Sequence, residues 1–121
     1  MKRAPKFIGP SSIAFVKFLG LVHLAALKGN AHDLGAPEIA MLNTLTQSWL
    51  VGVPLNVLAA MQANNTRSGT SSHRSLQQLR KKGYITLAVD EMDNRVKAVL
   101  PTALAMQYFD VMGKCLAKAT A

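Results

Sequence analysis

Apolar residues recur at helical spacing near both ends of the chain. Residues 12–28 are almost entirely apolar, and the run follows Pro10 and stops at Gly29, which predicts a helix between these two residues. A second pattern of the same kind predicts a last helix over residues 102–119. Its apolar stripe is Leu104, Tyr108, Val111, Met112, Cys115 and Leu116. Helices this apolar are normally covered, so we expect both to be buried against another helix.

Shorter elements are predicted between these two helices. Pro37 followed by Glu38 favours the start of a second helix, which ends near Gln47. Residues 49–51 are too few and too rich in strand-forming types for another helix, and they predict a short strand. Asn56 is a suitable N-cap residue for a third, short helix.

A fourth helix and a β-hairpin follow. The spacing predicts a helix from residue 70 or 71 to residue 82, with Leu76 and Leu79 facing inward and Gly83 just beyond its end. The alternating stretches "YITLAVD" and "RVKAVLP", joined by "EMDN", predict two strands of a hairpin. A helix-turn-helix followed directly by a hairpin is the arrangement of a winged helix.

The predicted fold class is therefore mainly α with a small β-hairpin, an α+β winged helix-turn-helix. The length of 121 residues fits one domain. We assign residues 1–10 to a flexible basic arm and residues 11–121 to a single winged-helix domain. Within it, residues 56–82 form the helix-turn-helix, residues 84–100 the wing, and residues 12–28 and 102–119 the dimerisation helices.

Composition indicates partners. Half of the residues are hydrophobic, which is high for a small soluble monomer and favours burial in a second molecule. Lys and Arg number 14 against 6 acidic residues, a formal net charge of +8, which favours a polyanion such as nucleic acid.

The chemistry of catalysis is not visible in the sequence. One cysteine, Cys115, excludes an internal disulfide and fits a reducing cytoplasm, where we expect it to be a buried bystander. The three histidines are scattered, without the spacing that a metal site needs, and no nucleophile–base pair or phosphate-binding glycine motif occurs. We therefore predict no enzyme activity, no catalytic residue, no metal and no cofactor.

The amino-terminal region also imitates a signal peptide. Basic residues precede an apolar run over residues 13–27, and "GNA" follows as a small-residue cleavage site. Lys17 and His23 interrupt that run, and fifteen residues are too few to span a bilayer. We expect a cytoplasmic protein without membrane contact, and keep export as the alternative.

The fourth helix carries the residues suited to reading DNA. Its free side and first turn hold hydrogen-bonding and cationic groups, and Arg can bond guanine as Gln can bond adenine in the major groove. A solvated polar face is the alternative reading. The candidate DNA-binding residues are Arg67, Ser71, Ser72, His73, Arg74, Gln77, Gln78, Lys81, Asn94, Arg95 and Lys97.

The wing adds a second contact. Residues 67–97 hold seven of the fourteen cations, and the three acids of that stretch lie in the hairpin turn. Asp93 is placed to orient Arg95 across the turn, which would let Arg95 enter a minor groove. An ordinary surface ion pair is the alternative.

Three segments carry a family resemblance. "DNRVKAVLPTALA" resembles the wing and last-helix entry of MarR-type winged helix regulators, "SLQQLRKKGYI" resembles the end of their recognition helix, and "VPLNVLAAM" is similar to the segment before it. The likeness covers about residues 36–120. It implies a dimer through the first and last helices, a fourth helix in the major groove, and a wing at the minor groove or backbone. The DNA contacts that it implies are Ser71, Ser72, Arg74, Gln77 and Arg95.

Three features depart from the family pattern. The turn "NNTRSG" is longer than the usual link, which affects the register of the reading helix. The wing is short, and the chain is short for a deep effector pocket. The resemblance favours a homodimeric transcriptional regulator of double-stranded DNA, acting as a repressor, with any small-molecule effector unknown. A plasmid, phage or mobile-element protein for replication, partition or transfer and a winged-helix protein–protein adaptor are the alternatives.

Overall fold

The computed structural model describes residues 4–64, 69–89, 92 and 97–121. Within these residues the chain forms five α-helices and one antiparallel hairpin, so the predicted fold class is confirmed. The helices are α1 (Pro10–Ala25, continued by a π-helical turn, Ala26–Asn30), α2 (Ala36–Leu50), α3 (Val57–Ala63), α4 (Gly69–Lys81) and α5 (Ala103–Ala119). The strands are β1 (Ile85–Val89) and β2 (Lys97–Pro101).

The chain divides into two compact units. Unit 1 combines the residues up to His32 with Gln107–Ala121, and unit 2 comprises Asp33–Met106. Unit 2 holds α2, α3, α4, the hairpin and the first turn of α5, and it therefore contains the predicted helix-turn-helix and wing.

The core of unit 2 is built from apolar side chains at helical spacing. Met41, Leu42 and Leu45 of α2 have no exposed surface, and the same is true of Leu79 in α4 and Val99 in β2. Since each such side chain contributes about 1.5–3 kcal/mol when it leaves water, these contacts hold α4 and the hairpin against α2.

The hairpin is extended by a third segment. Ile85 pairs with Pro101 and Val89 with Lys97 in the antiparallel register. On the other side of β2, the Val99 N–H donates to the Leu55 carbonyl over 2.8 Å, and Asn56 forms a bridge with Ala98. The chain entering α3 is thus bonded to the wing strand.

The predicted strand over residues 49–51 is wrong. Trp49 and Leu50 continue α2, and Val51 follows as its C-cap before the chain turns at Gly52 with a φ of 78°. The Trp49 indole N–H donates to the Val99 carbonyl over 2.9 Å, a contact between residues fifty positions apart. This tertiary bond favours the helix over the local strand preference.

Three predicted ends of elements are confirmed. The Asn56 side chain accepts a hydrogen bond from the Ala59 N–H over 2.8 Å and caps α3. Gly83 lies just beyond α4 with a φ of 89°. Thr102 precedes α5, where its hydroxyl accepts from the Ala105 N–H over 3.3 Å, while Pro101 ends β2.

In unit 1, α1 has no buried residue. Pro10–Asn30, 21 residues, is the helix within the described parts of the chain that is long and apolar enough to cross a membrane. The expectation that this run is too short to span a bilayer is therefore wrong, because the helix extends beyond residues 13–27 at both ends. Core helices of soluble proteins and signal sequences share this property.

The part of α5 in unit 1 carries a more mixed surface. Cys115 is buried and forms no disulfide, whereas Leu116 is exposed. His32 packs edge-on against Tyr108 with 5.3 Å between ring centres, and burial raises the pKa of Tyr108. Asp110 and Lys114 form an exposed ion pair one helical turn apart, at 3.0 Å.

Candidate nucleic-acid interface

Helix α4 has two chemically distinct faces. One face packs into unit 2 through Leu76 and Leu79, together with Ser72 and Ser75. The other face is exposed and polar, and it follows the helical spacing of residues one and two turns apart. Its exposed members, here called the reading face, are His73, Arg74, Gln77, Arg80 and Lys81.

The end of α4 is fixed by its backbone. The Tyr84 N–H donates to the Leu79 carbonyl over 2.9 Å and the Gly83 N–H donates to the Arg80 carbonyl over 3.1 Å. These two bonds, with a glycine at positive φ, form a Schellman motif, which satisfies carbonyls that the helix end leaves open.

Ser72 does not belong to the reading face. Its side chain has no exposed surface, and its hydroxyl donates to the Asn64 carbonyl over 3.4 Å. Ser72 was predicted to lie on the free side or in the first turn of the helix. It lies in the first turn but faces the core, because residues 72, 75, 76 and 79 share the buried face. Ser71 and Gln78 are half-buried, at the edge of the reading face.

The positive charge of Lys82 is paired with an acidic residue of α2. Its ammonium group lies 2.7 Å from Glu38 Oε1 and 2.5 Å from the Asp33 carbonyl oxygen. This arrangement was not visible in the sequence, where Lys82 counts with Arg80 and Lys81 as one basic run. Those two neighbours remain exposed.

Both acidic residues in the described part of unit 2, Asp33 and Glu38, accept hydrogen bonds from Lys82 or Tyr84. The hydrogen bond from Lys82 is the main cause that lowers the pKa of Glu38, and burial opposes it. The Asp33 carboxylate accepts from the Tyr84 hydroxyl over 3.2 Å. Since residues 69–89 contain no acid, the reading face carries only neutral and positive groups.

The described part of the wing adds one cation. Lys97 begins β2 and is exposed. Arg67, Asn94 and Arg95, and with them the predicted pairing of Asp93 with Arg95, lie outside the described residues. In the parts of the chain that the structure covers, no three His, Cys, Asp or Glu residues could together hold a metal ion.

No protein-family model matches the sequence, and no curated protein matches it. Solved structures share the fold. The F27L variant of MepR from S. aureus matches with a TM-score of 0.63 and 16% identity, over 94% of this chain and 79% of that chain. The PcaV transcriptional regulator from Streptomyces coelicolor, solved with its natural ligand, matches with a TM-score of 0.53 and 17% identity, over 98% and 80%.

A third structure is named for the family itself. The MarR protein from Peptoclostridium difficile matches with a TM-score of 0.54 and 14% identity, over 98% of this chain and 77% of that chain. At these identities the likeness concerns the fold. It agrees with the resemblance found in the wing and the fourth helix, and the chain therefore has the winged helix-turn-helix fold of MarR-type regulators.

Proposed function

We propose that the protein is a homodimeric, sequence-specific regulator of transcription that binds double-stranded DNA, and that it acts as a repressor. The observation that carries this proposal is the reading face of α4, an exposed polar and cationic surface on a helix whose opposite face is anchored in the core. The likeness in fold to a transcriptional regulator supports it.

The reading face suits the major groove. B-DNA has a major groove about 12 Å wide, which admits one α-helix with its side chains. Arg74 and Gln77 lie about one turn apart on the exposed side, and these two side-chain types can bond guanine and adenine edges with two hydrogen bonds each. Arg80, Lys81 and Lys97 then serve as contacts to phosphate.

The wing is proposed as the second contact. Lys97 is exposed where β2 leaves the hairpin turn. Arg95, two residues earlier, is proposed from the sequence to reach the minor groove or the backbone, where the negative potential favours a guanidinium group.

The dimer is proposed from exposed apolar surface in unit 1. Helix α1 buries none of its residues, and its exposed side chains include Phe15 and Leu19. Monomeric soluble proteins rarely leave a large contiguous apolar patch in water, and a two-fold axis lets the apolar surface of one copy cover that of the other. A dimer that bound two successive major grooves would block access to a promoter, which is repression by occlusion. The protein acts in the cytoplasm, without cofactor or membrane.

The proposal is tested with selected DNA. A random duplex library is first enriched with the purified protein, and the selected site and a scrambled duplex are titrated at several salt concentrations. Arg74→Ala should cost roughly 1–3 kcal/mol on the selected site and much less on the scrambled duplex. Arg95→Ala should weaken both more evenly and reduce the salt slope by about 0.9 for each lost phosphate contact.

A matched control comes from a helix outside the reading face. Gln47→Ala removes an exposed glutamine of α2, as Gln77→Ala does in α4. Gln47→Ala should bind like the parent, whereas Gln77→Ala should lose affinity for the selected site. If the parent binds every duplex weakly and equally, the DNA-regulator proposal is overturned and an adaptor that docks on an acidic protein takes its place.

A further inference from the structure

Four side chains join the end of α4 to the start of α2. We call them the clamp: Lys82 and Tyr84 on one side, Asp33 and Glu38 on the other. The Lys82 ammonium group bonds Glu38 Oε1 at 2.7 Å and the Asp33 carbonyl oxygen at 2.5 Å. The Tyr84 hydroxyl donates to Asp33 Oδ1 over 3.2 Å, so the two sides share three bonds.

Three of the four clamp side chains are partly or fully shielded from water, whereas Asp33 is exposed. The Lys82 and Glu38 side chains keep 25% and 13% of their surface, and Tyr84 is buried. Glu38 Oε1 also accepts from the Gly35 N–H over 3.3 Å, which fixes the carboxylate at the first turn of α2. Lys82 is therefore held in place by an opposite charge and is not available to a phosphate.

The same turn is also held by Thr102, the residue that precedes α5. The Thr102 hydroxyl donates to the Gly83 carbonyl over 2.5 Å, and the Thr102 N–H donates to the Tyr84 carbonyl over 3.2 Å. Residues 82–84 directly follow α4, so these bonds and the clamp fix the carboxyl end of the reading helix within unit 2.

A small change in the direction of α4 at its carboxyl end displaces the side chains of the reading face. Arg74 lies eight residues before Lys82, about 12 Å along the helix axis. A tilt of about 5° at the clamp would therefore move Arg74 by about 1 Å, whereas hydrogen bonds keep donor and acceptor within a window of about 0.5 Å.

Resting on the proposed function, we propose that Lys82 is a positioning residue for the reading helix. It sets how well the protein discriminates between DNA sequences, through Glu38 and Asp33, and it does not contact DNA. Lys81, its neighbour in the sequence, is exposed and contacts phosphate, so two adjacent lysines have different roles.

The test uses opposite changes of charge on the two sides of one bond. Lys82→Met removes a positive charge, which should weaken binding to scrambled DNA slightly, whereas Glu38→Ala removes a negative charge and should strengthen it slightly. Both variants should nevertheless lower the ratio of selected-site to scrambled affinity by about tenfold, since both release α4 from α2. The double variant should lose no more than the more affected single variant, because both remove the same bond.

Two controls separate positioning from contact and from loss of fold. Lys81→Met should reduce the salt slope by about 0.9 and leave the affinity ratio unchanged, while Lys82→Met should reduce the slope by much less. Lys82→Arg should restore most of the ratio. Tyr84→Phe, which removes only a hydroxyl group, should lower the ratio in the same direction and keeps the test valid if the other variants unfold.

The outcomes are distinct. A salt slope reduced as much by Lys82→Met as by Lys81→Met, or a Glu38→Ala variant that keeps the parent's affinity ratio, would overturn the positioning role and leave the regulator proposal standing. A parent protein without preference for any selected duplex would overturn both.

Discussion

The glycine that ends the reading helix gives a quantitative prediction. Gly83 has a φ of 89°, and an added Cβ would meet only Leu104 Cδ2, at 3.8 Å, which is an ordinary contact. Gly83→Ala therefore costs backbone strain and no steric clash. A left-handed conformation costs a non-glycine residue about 1–2 kcal/mol. Alanine also restricts the unfolded chain, which stabilises the folded state by about 0.4–1 kcal/mol. We therefore expect the free energy of unfolding to fall by about 1 kcal/mol.

A second glycine provides the control with the opposite sign. Gly113 lies inside α5 and is exposed, and an added Cβ would meet no atom within 4 Å. Since glycine is a poor helix residue, Gly113→Ala should raise the free energy of unfolding by about 0.5–1 kcal/mol. The two variants carry the same methyl group and should differ by about 2 kcal/mol, the sum of these two effects.

The assay is urea unfolding followed by far-ultraviolet circular dichroism, at one fixed protein concentration. Equal slopes against urea would show that the change lies in stability rather than in the exposed surface. The reasoning is refuted if Gly83→Ala is as stable as the parent while Gly113→Ala is stabilised. In that case residues 82–84 would not need the left-handed conformation, and the Schellman motif would not define the end of α4.

Three further predictions concern other parts of the molecule. Trp49→Phe should lower the free energy of unfolding by about 1–3 kcal/mol in the same assay, because the Val99 carbonyl loses its donor, and an unchanged stability would contradict this. The Lys82 bond lowers the pKa of Glu38 in the folded protein below its ordinary value. The contribution of Glu38 to stability should therefore be complete near neutral pH and disappear as the pH falls through that lowered pKa. Glu38→Gln should flatten the acid side of a stability–pH curve, and a curve identical to the parent's would count against the Lys82 bond. Phe15→Glu should convert a dimer to a monomer in light scattering with its helix content kept, and a monomeric parent protein would remove the dimer argument.

The sequence alone determined the order of elements, apart from one strand, and most of the reading face. Leu76 and Leu79 are three residues apart and Gly83 follows the last turn, and these local relations are fixed by helix geometry whatever lies nearby. They sufficed to orient Arg74 and Gln77 outward, and the alternation of apolar residues in the two stretches that follow predicted the hairpin. Asn56 was predictable for the same reason, because a capping side chain bonds a backbone group three residues away.

Only the tertiary structure decided the role of residues whose partners are distant in the chain. Trp49 continues a helix because its indole bonds Val99, and Lys82 is neutralised because the fold brings Glu38 to it from 44 positions away. Ser72 is buried because its hydroxyl faces the Asn64 carbonyl across the turn between two helices. Helical spacing and residue type are local properties, whereas these three bonds exist only after the helices have packed. This is why residues 49–51 were wrongly predicted as a strand, and why the partners of Ser72 and Lys82 were not predicted.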